Sequence, residues 1–208
     1  MPHNSVDTVV LAAMVVLRLQ TIVSRETKPG EFAVLTVGSS VAGSKSNIIP
    51  DHAVLLVNLR TYDLELRQWM IDGIERIVKA ECEASGSPKP PEFEYYDQYP
   101  LTDNDVEVTE RITRAFNDHF GTETVFELGR QTASEDFSRI PDAFGASYTF
   151  WGLGGTDPEQ YERARKAGRI AQDIPVNHSE SYAPVIQPTL SRGAEALVVA
   201  AMAYLSKK

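Results

Sequence analysis

Residues 42–63 read AGSKSNIIPDHAVLLVNLRTYD, a polar loop that feeds a run with strand character. The loop ends in Ser46-Asn47, and the turn Ile48-Ile49-Pro50-Asp51 follows. Pro50 fixes one backbone angle and lacks an N–H, so it belongs at the mouth of a strand and not in its middle. The strand then runs from Ala53 to Thr61, with Arg60 near its far end. An amide (Asn47) and a guanidinium (Arg60) on one hairpin could grip a carboxylate from two sides, because Arg binds carboxylates bidentately. The plainer alternative is a solvated turn and a surface Arg.

Upstream, Asn4 or Ser5 can cap a helix running to about Ser24, with Asp7 favourable in its first turn. Val9, Val10, Met14, Leu17 and Val23 surround much of it, which predicts a helix buried on more than one side. Glu31 to Val41 alternates as a strand. Downstream, Asp63 caps a second helix in which Leu66, Met70, Ile74, Ile77 and Val78 follow three-to-four spacing. Ser85-Gly86-Ser87-Pro88 stops it. Glu92 to Tyr99 alternates again and predicts a half-exposed strand. The order helix, strand, strand, helix, strand predicts an α+β unit over residues 1–101: an antiparallel sheet with two helices on one face, lacking its first strand.

Pro100 to Asn104 reads as a hinge, and the pattern changes after it. A helix is expected from about Asp105 to Phe120, ending at Gly121. A short strand follows at Thr124–Glu127, then a loop and helical turn at Gln131–Ile140 before Pro141. A buried strand is expected at Ser147–Gly152. Asp157-Pro158 opens a helix closed by Gly168. The last helix, about Thr189 to Leu205, carries Leu190, Ala194, Leu197, Ala201 and Leu205 on one stripe. Residues 102–208 read as the closing part of a larger α/β layer structure.

The 208 residues carry a net charge of −9, with 42% hydrophobic and 24% charged residues, which is ordinary for a globular protein. The acidic balance argues against a nucleic-acid partner, since phosphate binding needs clustered Lys and Arg. Cys82 is the only cysteine, so the sequence holds neither a disulfide framework nor a cysteine-based zinc cage. That suits a cytoplasmic setting. Val9 to Leu17 would span only ~14 Å as a helix against a bilayer core of ~30 Å, and Met1-Pro2-His3-Asn4 lacks the basic opening of a signal peptide. No membrane partner is expected.

Among the four histidines, His119 is expected to meet the last carbonyls of its helix, and His52, beside Asp51, to be solvated. His178 lies in a loop before the final helix and is either an ordinary loop residue or a single metal ligand, where zinc needs three or four. The acidic pair Glu135-Asp136 follows Ser134, a good N-cap, so it is either part of a helix start or the polar wall of a pocket. Gly152-Leu153-Gly154-Gly155 lacks the Lys-Ser/Thr ending of a phosphate loop and reads as loop glycines.

Five segments in order change the balance: Met1-Pro2-His3, Ser46-Asn47-Ile48-Ile49-Pro50-Asp51, Leu59-Arg60-Thr61-Tyr62-Asp63, Ala133-Ser134-Glu135-Asp136-Phe137 and Asn177-His178-Ser179. Through essentially the whole chain, this order resembles the metal-dependent amidohydrolases of the aminoacylase and carboxypeptidase superfamily, in the branch with hippurate hydrolase and indole-acetyl-amino-acid hydrolase. The resemblance implies that residues 1–101 are a lid and dimerisation domain, incomplete at its start. Residues 102–208 would be the C-terminal portion of a di-metal α/β hydrolase domain. By position His178 matches the last metal ligand, although Ser179-Glu180-Ser181-Tyr182 departs from the family's continuation. Asn47 and Arg60 match lid residues that hold the substrate carboxylate, and Glu135 and Asp136 match a segment lining the pocket.

The implied reaction is hydrolysis of the amide bond of an N-acyl amino acid or short peptide. In the intact enzyme two divalent metal ions, zinc or manganese, would share and acidify a water, and a glutamate would take its proton. The other ligands and that glutamate fall in the half of the family sequence that these residues do not match. No catalytic residue and no bound metal are therefore expected in this fragment, which would be inactive alone and form a homodimer through residues 1–101. The alternative is a non-catalytic dimerisation or binding module.

Overall fold

The computed structural model describes residues 2–206. Met1, the first residue of the Met1-Pro2-His3 match, lies outside them. The chain divides into two compact units, Met1–Gln98 and Tyr99–Lys208.

In the first unit, a 3-10 turn over Pro2–Asn4 delays the first helix, so the cap is Asp7 and not Asn4 or Ser5. Its carboxylate accepts from the N–H groups of Val9 (3.0 Å) and Val10 (3.1 Å), and its charge favours the positive helix end. Helix α1 spans Thr8–Thr21 and continues as a π turn, Ile22–Glu26, in which Thr27 N–H reaches back to the Ile22 carbonyl at 2.8 Å. The helical segment is thus 19 residues long, enough by length and composition to cross a membrane, and longer than the sequence run suggests. One of its faces, Val15, Leu19 and Ile22, is instead core.

Strands β1 (Ala33–Ala42) and β2 (Ala53–Thr61) form an antiparallel hairpin, with Val34 opposite Arg60 and Ala42 opposite Ala53. The register slips between Val37 and Ser39, a bulge at Gly38. Helix α2 (Leu64–Ala84) starts at Asp63, whose carboxylate accepts from Leu66 N–H at 2.7 Å. Asp63→Ala should cost about 1 kcal/mol in a urea titration. Leu35, Met70 and Ile77 close the core under α1 and α2, with Val37, Leu55, Val57 and Leu59 packed against it.

The strand expected at Glu92–Tyr99 does not form, so the sheet has two strands and not three. Residues 93–98 instead lie stretched along α2. Lys79 sits over the Phe93 ring, the Tyr95 hydroxyl donates to the Glu75 carboxylate (2.7 Å), and Arg67 donates to Gln98 (2.7 Å). Those α2 positions span ~18 Å, which five residues bridge only when nearly extended. Asp97 takes a left-handed φ of 48°, which breaks the pleat.

Partial burial, and then the Glu75 carboxylate, push the Tyr95 hydroxyl up to about 12. The protonated phenol is the form that holds the segment, so this contact is complete below the ordinary tyrosine range near 10 and is lost as pH rises through about 12. In an absorbance titration one of the eight tyrosines should ionise late, and Tyr95→Phe should abolish that late step.

In the second unit, Asp105 caps α3 (Val106–Phe120) by accepting from Val108 N–H at 2.9 Å, and Gly121 ends it at φ 88°. Short helices α4 (Arg139–Ala143), α5 (Pro158–Lys166) and α6 (Ile170–Asp173) precede α7 (Thr189–Leu205). Pro141 lies inside α4, not after it; a first-turn proline loses no helical bond. Ile112 and Phe116 of α3 pack on Ala196 of α7. Arg111 donates twice to the Ala203 carbonyl, at 3.0 and 2.7 Å. The Leu190, Leu197 and Leu205 stripe faces away from this contact and is exposed.

Neither expected strand of this unit, Thr124–Glu127 or Ser147–Gly152, is present among the described residues. The second is held by side chains and a loop. The Asn104 amide donates to the Phe150 carbonyl (2.9 Å) and accepts from its N–H (2.7 Å). Asp105 N–H donates to the Tyr148 carbonyl, and Asp103 N–H to the Tyr148 hydroxyl, both at 2.9 Å. The carboxamide takes the place of a neighbouring strand.

Candidate functional site

The hairpin tip carries Asn47, which is exposed in the turn at 46–47. Gly43 enters the loop at φ 68°, where a Cβ would stand 3.1 Å from the Pro50 ring. Thr8 ties the other side by donating to the Pro50 carbonyl at 3.0 Å. At this tip lies an open, largely apolar cleft of about 540 Å³, lined by Val41, Lys45, Ile48, Pro50 and Val54 among others. Neither Asn47 nor Arg60 lines it. His52 is exposed and sits 2.6 Å from Asp51, and its hydrogen bond holds the Asp51 carboxyl below the usual range.

Arg60 is at the opposite end of the hairpin. It stands seven residues along β2 from Ala53, about 23 Å at the usual rise per residue. It is half-buried, and its Nε donates to Asn58 Oδ1 at 3.1 Å. One protomer therefore does not close Asn47 and Arg60 on the same small carboxylate, contrary to the two-sided grip expected from the sequence. The strand rise sets the gap.

In the second unit, Glu135 turns on its own backbone. Its Oε1 accepts from the N–H groups of Asp136 (2.9 Å) and Phe137 (3.1 Å). Glu135, not Ser134, therefore caps this turn. Asp136 is exposed, and its carbonyl accepts from Arg139 N–H at 3.1 Å. Phe137 packs against Tyr148 and Phe150, with ring centres 5.6 and 5.2 Å away. Ser138 beside it is fully buried with no partner for its hydroxyl. Asn104, Tyr148 and Ser138 carry no signal in the sequence, since each is an ordinary polar residue until the chain folds.

His178 is exposed in a turn, with a left-handed φ of 70°, and the Val176 carbonyl behind it accepts from Ser179 N–H at 3.0 Å. Among the described residues no group of three His, Cys, Asp or Glu could hold a metal ion. A metal would find fewer than three such donors at His178, so these residues by themselves do not fit a zinc centre. Gly155 packs the neighbouring loop: a Cβ there would stand 2.9 Å from Pro184 Cβ, and the Gly155 carbonyl accepts from Val185 N–H at 2.9 Å. Gly155→Ala should lower the melting temperature by a few degrees, because the ring cannot give way like a flexible chain end. His119 does not cap its helix; its Nε2 lies 3.7 Å from the Glu195 carboxylate and its ring stands edge-on to Phe120.

Residues 1–85 match the family model of the M20 peptidase dimerisation domain. The N-acetyl-L-cysteine deacetylase of Bacillus subtilis (strain 168) is 32% identical over 155 residues, covering 74% of this chain and 36% of that protein. Thermostable carboxypeptidase 2 of Saccharolobus solfataricus is 28% identical over 206 residues, covering 99% of this chain and 48% of that one. The crystal structure of a Bacillus subtilis dinuclear metal binding peptidase from the M20 family superposes with a TM-score of 0.58 at 22% identity, over 74% of this chain and 39% of that chain. The chain thus spans less than half the length of each of these proteins. With the hairpin and its two helices falling inside the matched stretch, residues 1–85 are an M20 peptidase dimerisation domain, in a chain similar to proteins named deacetylase and carboxypeptidase.

Proposed function

We propose that this chain is the dimerising and substrate-facing part of a metal-dependent hydrolase that cleaves the amide bond of N-acyl amino acids or short peptides. The observation that carries this reading is the match of residues 1–85 to a dimerisation domain, in a chain whose relatives include a deacetylase of an N-acyl amino acid and a carboxypeptidase. Residues 1–101 form the lid and 102–208 return to the catalytic domain. His178 is one ligand of a metal pair completed by other residues, Arg60 and Asn47 hold the substrate carboxylate, and Glu135 with Asp136 shapes the pocket wall.

The self-association surface is the outer stripe of α1. Val10, Met14 and Leu17 are 57%, 47% and 66% exposed, and with Ala13 they repeat at three-to-four spacing opposite the core face. A two-fold axis across this stripe makes each copy's patch its own partner. For both residues to hold one carboxylate in the dimer, Asn47 of one protomer would have to meet Arg60 of the other across the two-fold. Light scattering on the purified chain should give twice the 23.0 kDa chain mass. A monomer at micromolar concentration removes the dimer from the proposal.

A further inference from the structure

We propose that the cleft at the hairpin tip receives the side chain of the substrate's amino acid and selects a bulky apolar one, leucine- or phenylalanine-like. This deepens the hydrolase reading and rests on it, through Asn47 as a holder of the substrate carboxylate. The cleft is built on the outer face of the hairpin. Val54 alternates with the core-packed Leu55 and Val57, so its side chain points away from the core. Val41 stands directly opposite it in the register and shares its face. Both are exposed, and Ile48 joins them from the turn. The loop that carries Ile48 is fixed on two sides. Gly43 lets the Pro50 ring lie close, and Thr8 holds the Pro50 carbonyl. The cleft is therefore formed before a ligand arrives, which lowers the ordering cost of binding.

The chemistry of the tip says which part of the substrate fits. Asn47 stands in the chain between Lys45 and Ile48, both of which line the cleft. A carboxylate held there brings the substrate Cα to the cleft mouth. The amino-acid side chain starts on that same Cα. The acyl group is bonded through nitrogen, and a trans amide turns it away from Cα. The cleft thus receives the side chain and not the acyl group. The charges at the lip agree. Asp51 is engaged by His52 at 2.6 Å. Lys45 is in no ion pair among the described residues, which leaves its ammonium for a carboxylate beside an apolar floor. A second carboxylate in place of the apolar side chain would lose its water against Val41, Ile48 and Val54. The volume, about 540 Å³, is ample for an isobutyl or benzyl group and lies in the ordinary range of small-ligand clefts.

The test uses the full 208-residue chain, with its amide and methyl resonances followed by NMR. The probes are N-acetylglycine, N-acetyl-L-leucine and N-acetyl-L-phenylalanine. The leucine and phenylalanine compounds should bind at least about tenfold more tightly than the glycine compound, and shift the methyl signals of Val41, Ile48 and Val54. Ile48→Ser, at an exposed turn position, should reduce that ratio to about threefold or less with an unchanged circular dichroism spectrum. A ratio that survives Ile48→Ser overturns the inference. Equal affinities, with Asn47 shifted and those methyls still, also overturn it and leave the hydrolase reading standing. Methyl shifts without an Asn47 shift overturn it too, since the cleft would then take apolar groups without regard to the carboxylate. No shift at Asn47 or Arg60 with any probe at millimolar concentration removes the carboxylate assignment itself, and the inference with it.

Discussion

Leu17→Glu should turn a dimer into a monomer. Leu17 is 66% exposed on α1, so the substitution spares the core of the first unit. In a two-fold interface the same change occurs on both sides. Losing an apolar anchor and burying a charge costs about 2 kcal/mol or more per site, so the dissociation constant should rise about a thousandfold. Analytical ultracentrifugation reads this directly, and circular dichroism should be unchanged. An unaltered dimer would move the interface away from α1.

Leu19→Ala should have the opposite profile. Leu19 is fully buried between the hairpin and α2, with Ile22 and Met70 equally closed off. Truncation removes buried methylenes and leaves a cavity, which costs about 3 kcal/mol. That is a large share of the roughly 5–15 kcal/mol typical of a whole domain. Urea unfolding should show a lower midpoint for the first unit. The second unit has its own core around Ile112, Phe116 and Ala196, and its tryptophan, Trp151, should report an unchanged transition. A single shifted transition for both signals would show that the two units unfold together.

Much of the first unit is legible in the sequence because its signals are local. Pro50 marks the mouth of β2, the alternation from Ala53 marks its body, and Asp63 caps α2 with its own carboxylate. Asp105 and Asp157 announce α3 and α5 in the same way. The misreadings are non-local. Residues 92–99 and 147–152 have strand composition, but a strand needs a neighbour, and pairing is not a property of one segment. For 147–152 the neighbour is the side chain of Asn104, which no period reveals. The exposed Leu190–Leu205 stripe shows the same limit: spacing finds an apolar face without saying what covers it.

The candidate site is legible as residue types and not as geometry. Asn47 and Arg60 are close in sequence, yet the hairpin sends them to opposite ends. The rise per strand residue, multiplied along β2, is enough to separate them. Glu135 reads as a pocket acid but spends one oxygen on two backbone N–H groups. His178 reads as a ligand because of its neighbours in sequence. In the fold it stands exposed and belongs to no group of three donors among the described residues.

The most direct test of the central claim is turnover. The purified chain is incubated with zinc or manganese and an N-acyl amino acid, and release of the free amino acid is followed. A chain that dimerises and faces substrate but groups fewer than three metal donors among its described residues should show no metal-dependent hydrolysis. Metal-dependent turnover that disappears in His178→Ala would contradict this account, because it would require a complete metal centre in these residues.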